Sequence, residues 1–255
     1  MVIPAFPLEA LLPFIAIGFA AQLVDGALGM AFGVISNTLL ISMGVPPAAA
    51  SAGVHAAESF TTAFSGISHI AHRNVDWRLF RRLVIPGVAG GILGAYVLTN
   101  ISAALARPFV LAYLSAIGLY LLWRGVRSPP VEKRPKLVAP LGLIGGFLDA
   151  VGGGGWGPVV TSNLLAQGGS PRKVVGTVNT AEFFLAVTIS ATFIATLGLG
   201  AFTIATVGLL IGGVAAAPLG ALVAKRVPAK PLLILVGIVL TITSIYGVMR
   251  ALVWS

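Results

Sequence analysis

Residues 146–158 read Gly-Phe-Leu-Asp-Ala-Val-Gly-Gly-Gly-Gly-Trp-Gly-Pro, in the middle of the apolar segment 138–168. One helix over this segment would be about 46 Å long, whereas the hydrocarbon core of a bilayer is about 30 Å thick. Two full spans would need about 40 residues, more than the segment has. Because four consecutive glycines and a proline favour no regular helix, we expect the chain to break here.

A weaker copy of this region lies 124 residues earlier. Aligning residues 18–60 with residues 142–184 gives 11 identities in 43 positions, including Asp25 with Asp149 and Glu58 with Glu182. We divide the chain into a first repeat (1–126), a linker (127–137) and a second repeat (138–255). Carboxylates inside apolar segments of a duplicated membrane protein indicate a transporter.

The composition predicts an all-α integral membrane protein. The chain is 57% hydrophobic and only 9% charged, against roughly 25% charged in soluble domains. The net charge of +9 comes from short loops, where basic residues set membrane topology rather than bind nucleic acid. There is no cysteine, hence no thiolate metal site, and no motif predicts a cofactor.

Loop charge distinguishes two topologies for the long segments 10–43 and 138–168. If each crosses the membrane once, 10 of the 16 Lys and Arg residues lie on the cytoplasmic side and 6 on the opposite side. If each dips in and returns on the same side, the second half is inverted and the division becomes 14 to 2. The positive-inside rule favours the second arrangement. We therefore predict two inverted repeats, each a re-entrant, broken helix pair plus three transmembrane helices, with tips at Asp25–Gly29 and Asp149–Gly155.

The second-repeat motif, Asp149 to Pro158 followed by Gly-Thr-Val-Asn-Thr-Ala-Glu at 176–182, resembles the sulfite exporter TauE/SafE family of membrane permeases, as does its looser copy at residues 24–33. The resemblance implies a secondary transporter, not an enzyme, that moves sulfite, an organosulfonate or another small anion. It also implies a multi-pass protein of a bacterial-type inner membrane, and the positive-inside rule places the basic loops in the cytoplasm. A homodimer and a monomer both stay open.

The glycine-rich tips are candidate substrate sites because backbone N–H groups at a helix N-terminus can bind an anion without Lys or Arg. The same glycines could instead permit close helix packing. Trp156 could form a lid or pack as an ordinary aromatic, and nearby polar side chains could bind the substrate or their own helix. The candidate substrate-binding residues are Gly29, Gly33, Asn37, Thr38, Gly153, Gly154, Gly155, Trp156, Thr161, Ser162 and Asn163.

The acids have two interpretations. Glu58 and Glu182 could carry protons, since burial favours the neutral form of a carboxyl group, or they could only support the tips. His55 and Asn179 lie three residues before them on the same helix face, which makes Glu58, beside a second titratable group, the better proton carrier. Asp25 and Asp149 are suited to capping free N–H groups at the breaks.

Two other functions use the same residues. The four acids and His55 could bind a metal ion or Na⁺, which would make the protein a cation transporter. Paired aspartates also occur in intramembrane aspartyl proteases, but Asp25 and Asp149 lack the Gly-x-Gly-Asp context of that family. The chain contains neither a Gly-x-Ser-Gly nor a His-Glu-x-x-His motif.

Overall fold

The computed structural model describes residues 8–126, 135–226 and 229–253. The remaining residues, which include Arg127, Lys133 and Arg134 of the predicted linker, lie outside the described ranges.

Every regular element in the described ranges is a helix, which confirms the all-α prediction. The first half contains α1 (Leu8–Leu28), α2 (Phe32–Ser42), α3 (Pro47–Ala71), α4 (Trp77–Thr99) and α5 (Ala103–Val126). The second contains α6 (Val138–Gly152), a π-helical turn (Trp156–Thr161) that continues into α7 (Ser162–Ala166), α8 (Pro171–Leu197), α9 (Ile204–Arg226) and α10 (Ala229–Val253).

The outer surface is apolar. Among the described residues, three helices are long and apolar enough to cross a membrane, at Trp77–Thr99, Ala103–Trp123 and Arg172–Leu197. Phe64, Ile85 and Phe109 are each exposed over about two thirds of their surface, at 68%, 70% and 67%. Soluble proteins rarely expose such large apolar patches, so this exterior is typical of helices that face lipid.

Each long apolar segment is broken into two arms. The first break covers residues 29–31 and the second covers residues 153–155, at equivalent positions of the two repeats. Gly29 and Gly153 have φ of 65° and 61°, and Gly154 has φ of 151°, a region that favours glycine. The predicted tips need a correction: Asp25 and Asp149 lie in the last turn of α1 and α6, and the breaks begin four residues later.

The helix packing maps onto itself when the two halves are exchanged. Helix α1 packs on α9 as α6 packs on α4, and the packed pairs α3–α8 and α5–α10 each consist of two equivalent helices. Glycines bring these backbones together: a Cβ at Gly18 would lie 2.8 Å from the Cα of Leu209, and one at Gly142 would lie 2.7 Å from the carbonyl oxygen of Leu83. Small residues at helix crossings are the usual means of close packing in membranes.

Hydrogen bonds bring several loops to one end of the helix bundle. Lys173 donates to the carbonyl oxygen of Arg73 at 2.8 Å, and Arg172 donates to that of His72 at 3.1 Å. The Gln167 side chain accepts from the backbone N–H of Lys136 at 2.9 Å. We call this end, formed by residues 71–77, 135–137 and 167–173, the basic end. At the opposite end, Arg107 donates to the carbonyl oxygen of Gly44 at 2.8 Å.

Candidate functional site

Each break is held by an aspartate from the preceding arm. Oδ1 of Asp25 accepts from the backbone N–H groups of Ala31 and Phe32, at 2.7 and 3.2 Å. Oδ1 of Asp149 accepts from those of Gly155 and Trp156, at 2.7 and 2.8 Å. The two carboxylates therefore satisfy the free donors at the start of each second arm, the orphan groups that any helix N-terminus presents.

This capping corrects the predicted anion cradle. We expected open N–H groups at Gly155 and Trp156, but both groups already bind the Asp149 carboxylate. Gly154 also donates its N–H, to the carbonyl oxygen of Asp149 at 3.1 Å. The carboxylate of Asp149, six residues before Gly155, occupies the place where an anion would bind. In this conformation the second break therefore has no free N–H group at Gly155 or Trp156 for a substrate.

The two breaks meet in the centre of the protein. The side chain of Asn37 in α2 donates a hydrogen bond to the carbonyl oxygen of Gly152, and a Cβ at Gly153 would overlap the Asn37 amide. A Cβ at Gly33 would lie 2.7 Å from Cα of Gly154 and 2.8 Å from Oε1 of Glu58. These glycines let two backbones cross, and Asn37 joins the two repeats there.

Four carboxyl groups surround this crossing. A small void between the breaks is lined by Asp25, Glu58, Asp149 and Glu182, with Gly33 and Gly154 among its other neighbours. Glu58 is only 4% exposed, and its Oε2 atom has no hydrogen-bond partner. The four acids that the repeat singled out thus come together from four helices, α1, α3, α6 and α8.

His55 binds a different partner from the one that its position indicated. We expected it to act with Glu58 on α3, but its Nε2 lies 3.2 Å from Oδ2 of Asp149, on α6. Its Nδ1 lies 2.8 Å from the carbonyl oxygen of Ser51. Because both ring nitrogens face oxygens that accept, these two bonds require a proton on each nitrogen or one on the carboxyl group.

A larger cavity of about 650 Å³ extends from the basic end to the acids of the first break. Four predicted residues line it: Asp25, Gly29, Asn179 and Glu182. The sequence analysis did not identify the polar residues that line its walls. The helical spacing of the polar residues on α3 was a signal that could have revealed them. The polar residues that were not identified are Gln22, Thr61, Thr62, Ser65, Ser68 and His69, and the lining contains no Lys or Arg among the described residues.

The other predicted substrate residues lie in the helix packing. Trp156 is fully buried and donates its indole N–H to the carbonyl oxygen of Val178 at 3.2 Å. Asn163 donates to the carbonyl oxygen of Val159 in its own helix, and Ser162 lies 3.7 Å from the sulfur of Met30. Thr38 and Thr161 are fully buried, and their hydroxyl groups have no partner. None of these five side chains lines the cavity.

No metal centre is formed by the residues that the structure describes. Within them, no three His, Asp or Glu side chains are arranged to hold one ion.

Comparison with known proteins identifies the family. The family model of the sulfite exporter TauE/SafE matches residues 14–247. The chain belongs to the sulfite exporter TauE/SafE family. It is also 45% identical over 244 residues to the probable membrane transporter protein YtnM of Bacillus subtilis (strain 168), a match that covers 90% of this chain and 80% of that protein. No solved structure matches the chain. This TauE/SafE protein is a multi-pass membrane transporter, which works in a lipid bilayer on a small-molecule substrate.

Proposed function

We propose that this protein is a proton-coupled secondary transporter of a small sulfur-containing anion, such as sulfite or an organosulfonate. The observation that carries the proposal is the 650 Å³ cavity, which runs from the basic end to Asp25 and Glu182 at the first break. A site near the bilayer centre, beside broken helices of two repeats, is where secondary transporters bind their substrates. The family to which the chain belongs supports the substrate class.

The cavity lining supports an anion that arrives together with protons. Hydroxyl and amide groups of Thr61, Ser65 and Asn179 can donate hydrogen bonds to oxyanion oxygens. No described lining residue is a Lys or Arg, so the negative charge of the substrate has no fixed counter-ion there. Protons on Asp25 and Glu182 would remove the repulsion and supply two further donors.

We further propose the inverted arrangement of the repeats 1–126 and 138–255, joined by the linker 127–137. The contact between Gln167 and Lys136 supports it, because the α6–α7 arms then begin and end at the same side. The bonds of Arg172 and Lys173 to the α3–α4 loop support it too, since a single crossing would place these residues at opposite ends. By the positive-inside rule, the basic end faces the cytoplasm of a bacterial-type inner membrane.

The two alternatives have less support. A cation transporter would use the same four carboxyl groups, but no metal constellation forms among the described residues. In an aspartyl protease the two aspartates would have to activate one water together. Here Asp25 and Asp149 each accept hydrogen bonds within their own break, which is a structural use of both carboxylates.

The test is transport by purified protein in liposomes. Sulfite, methanesulfonate, sulfate, Na⁺ and Zn²⁺ are offered in turn, with and without a pH gradient. We expect uptake of sulfite or the sulfonate that the gradient accelerates, and none of the cations. Ser65→Val, in the cavity, should reduce this uptake, whereas Ser115→Val should not, because Ser115 binds only the carbonyl oxygen of Leu111 in its own helix. Uptake of a cation alone would contradict the proposal.

A further inference from the structure

Three polar residues that line the cavity on α3 have apolar repeat partners on α8. On α3, Thr61, Ser65 and His69 are polar and face the cavity. The residues 124 positions later, on α8, are Leu185, Ile189 and Phe193. All three are fully buried, each with 0% exposure. The same position in the two repeats therefore faces an open polar space in one half and a filled apolar space in the other.

The three α8 side chains fill the space that corresponds to the cavity. They follow Glu182 along α8, from the centre toward the opposite end. A Cβ at Gly87 would lie 3.2 Å from Cδ1 of Leu185, and one at Gly91 would lie 2.9 Å from Cγ1 of Ile189, so both pack directly on α4. The Phe193 ring lies 6.5 Å from the His55 ring, measured between centroids.

Polar contacts hold the break of α6 against α2 and α3 beside these side chains. Nε2 of His55 is 3.2 Å from Oδ2 of Asp149, and Ser51 donates its hydroxyl to the carbonyl oxygen of Ala150 at 2.6 Å. Asn37 binds the carbonyl oxygen of Gly152 in the same way. The pair at equivalent positions is Asn179 of the second repeat and Asp25 of the first. Asn179 instead donates to Ser65 at 3.2 Å, and both residues line the cavity.

We propose that Leu185, Ile189 and Phe193 form an apolar gate that closes the transport path toward the end opposite to the basic end. The polar cavity is the entrance to this path, and in this conformation it is open to the basic end. This inference rests on the proposed function. Apolar constrictions exclude water and ions, so a short layer of three side chains suffices to seal a path. The hydrogen bond between His55 and Asp149 stabilises the closed gate. The path opens when α6 and its break separate from α3.

The first experiment replaces each gate residue by its own repeat partner: Leu185→Thr, Ile189→Ser and Phe193→His, singly and together. The expected result is a proton or anion leak through liposomes that requires no substrate and that wild type lacks. The matched control is Val187→Thr with Ile194→Ser on the lipid-facing side of α8, where both residues are 42% exposed. A triple variant that is folded by size exclusion, keeps coupled transport and shows no leak would overturn the gate.

A second experiment does not depend on the triple variant folding. The chain has no cysteine, so single cysteines can be placed without background. Ser65→Cys in the cavity should react with a membrane-impermeant maleimide only from the basic end. Ile189→Cys, its repeat partner, should react only from the opposite end, and only while a substrate is transported. Reaction of Ile189→Cys from the basic end, or no reaction during turnover, would overturn the gate. Failure of the proposed substrate would be seen separately, as absent uptake by wild type.

Discussion

Asp25 and Asp149 lie 124 residues apart and make the same pair of bonds, each accepting from the backbone N–H groups six and seven residues later. Replacing either by Ala leaves two buried donors unpaired, at a cost of about 1–3 kcal/mol for each such group. We expect both Ala variants to unfold at clearly lower temperature in detergent, measured by scanning calorimetry. Asn keeps one carbonyl oxygen as acceptor, so the melting temperature of the Asn variants should fall less than that of the Ala variants.

The control for this prediction is Asp76→Ala. Asp76 also caps a helix with two bonds, from the backbone N–H groups of Arg78 and Leu79, but these groups are two and three residues later and lie at the exposed surface. Water can replace its bonds, so the loss should stay in the usual range for a cap, roughly 0.5–2 kcal/mol. If Asp25→Ala and Asp149→Ala melt no lower than Asp76→Ala, the caps do not hold the breaks.

The two glycines that open the breaks should differ in tolerance. Gly29 and Gly153 both have a left-handed backbone, which costs a residue with a Cβ roughly 1–2 kcal/mol. A Cβ at Gly29 would lie 3.2 Å from the Val175 side chain and 3.7 Å from the Asn179 amide, without overlap, whereas one at Gly153 would overlap Asn37. We expect Gly153→Ala to lower the melting temperature more than Gly29→Ala. Equal losses would show that Asn37 moves aside freely.

The repeat arrangement is tested by side-specific labelling. His72→Cys and Lys173→Cys should be protected from an impermeant maleimide in intact cells and should react after permeabilisation, because residues 72–73 and 172–173 lie together. Arg107→Cys should react in intact cells, since Arg107 lies beside Gly44 at the opposite end. Reaction of Lys173→Cys in intact cells would reject the inverted arrangement.

The sequence predicted the parts of the structure that depend on local chemistry. The glycine run before Trp156 cannot continue a helix, and an aspartate beside it is a natural cap, so the break and the capping role of Asp149 were both visible. The first break was misplaced because its copy has isolated glycines, Gly29 and Gly33, rather than a run. Its position, beginning four residues after Asp25, repeats that of the second break.

Contacts between distant helices were not predictable in this way. Spacing along α3 places His55 and Glu58 on one face, but cannot show that α6 brings Asp149 to the His55 ring. The N–H groups of the predicted anion cradle were identified correctly, but in this conformation they bind the Asp149 carboxylate, the capping role that was also expected of this residue. The cavity on α3 was missed although Thr61, Ser65 and Ser68 recur at helical spacing, because serine and threonine are common in membrane helices and often bind their own backbone.

The positions of the two glutamates lead us to expect different roles for them. Glu182 lines the large cavity, beside Asp25, where it can exchange a proton with the basic end. Glu58 lines the small void, not the large cavity, and is 4% exposed. The sequence favoured Glu58 because His55 shares its helix face, but His55 binds Asp149, so we now propose Glu182 as the proton carrier.

We therefore expect Glu182→Gln to abolish acceleration of substrate uptake by a pH gradient, while substrate exchange at equal pH persists. Gln is nearly isosteric with Glu and keeps most of its hydrogen bonds, but it cannot release a proton.

The matched control is Glu58→Gln, at the equivalent position of the first repeat, which should keep proton coupling. Glu58→Ala should destabilise the fold, because it removes a side chain that packs between the breaks. The measurement is proton flux per substrate in liposomes, read with a pH dye and a labelled anion. An unchanged proton-to-substrate ratio in Glu182→Gln would remove Glu182 from the coupling mechanism, and a loss confined to Glu58→Gln would return that role to the buried acid.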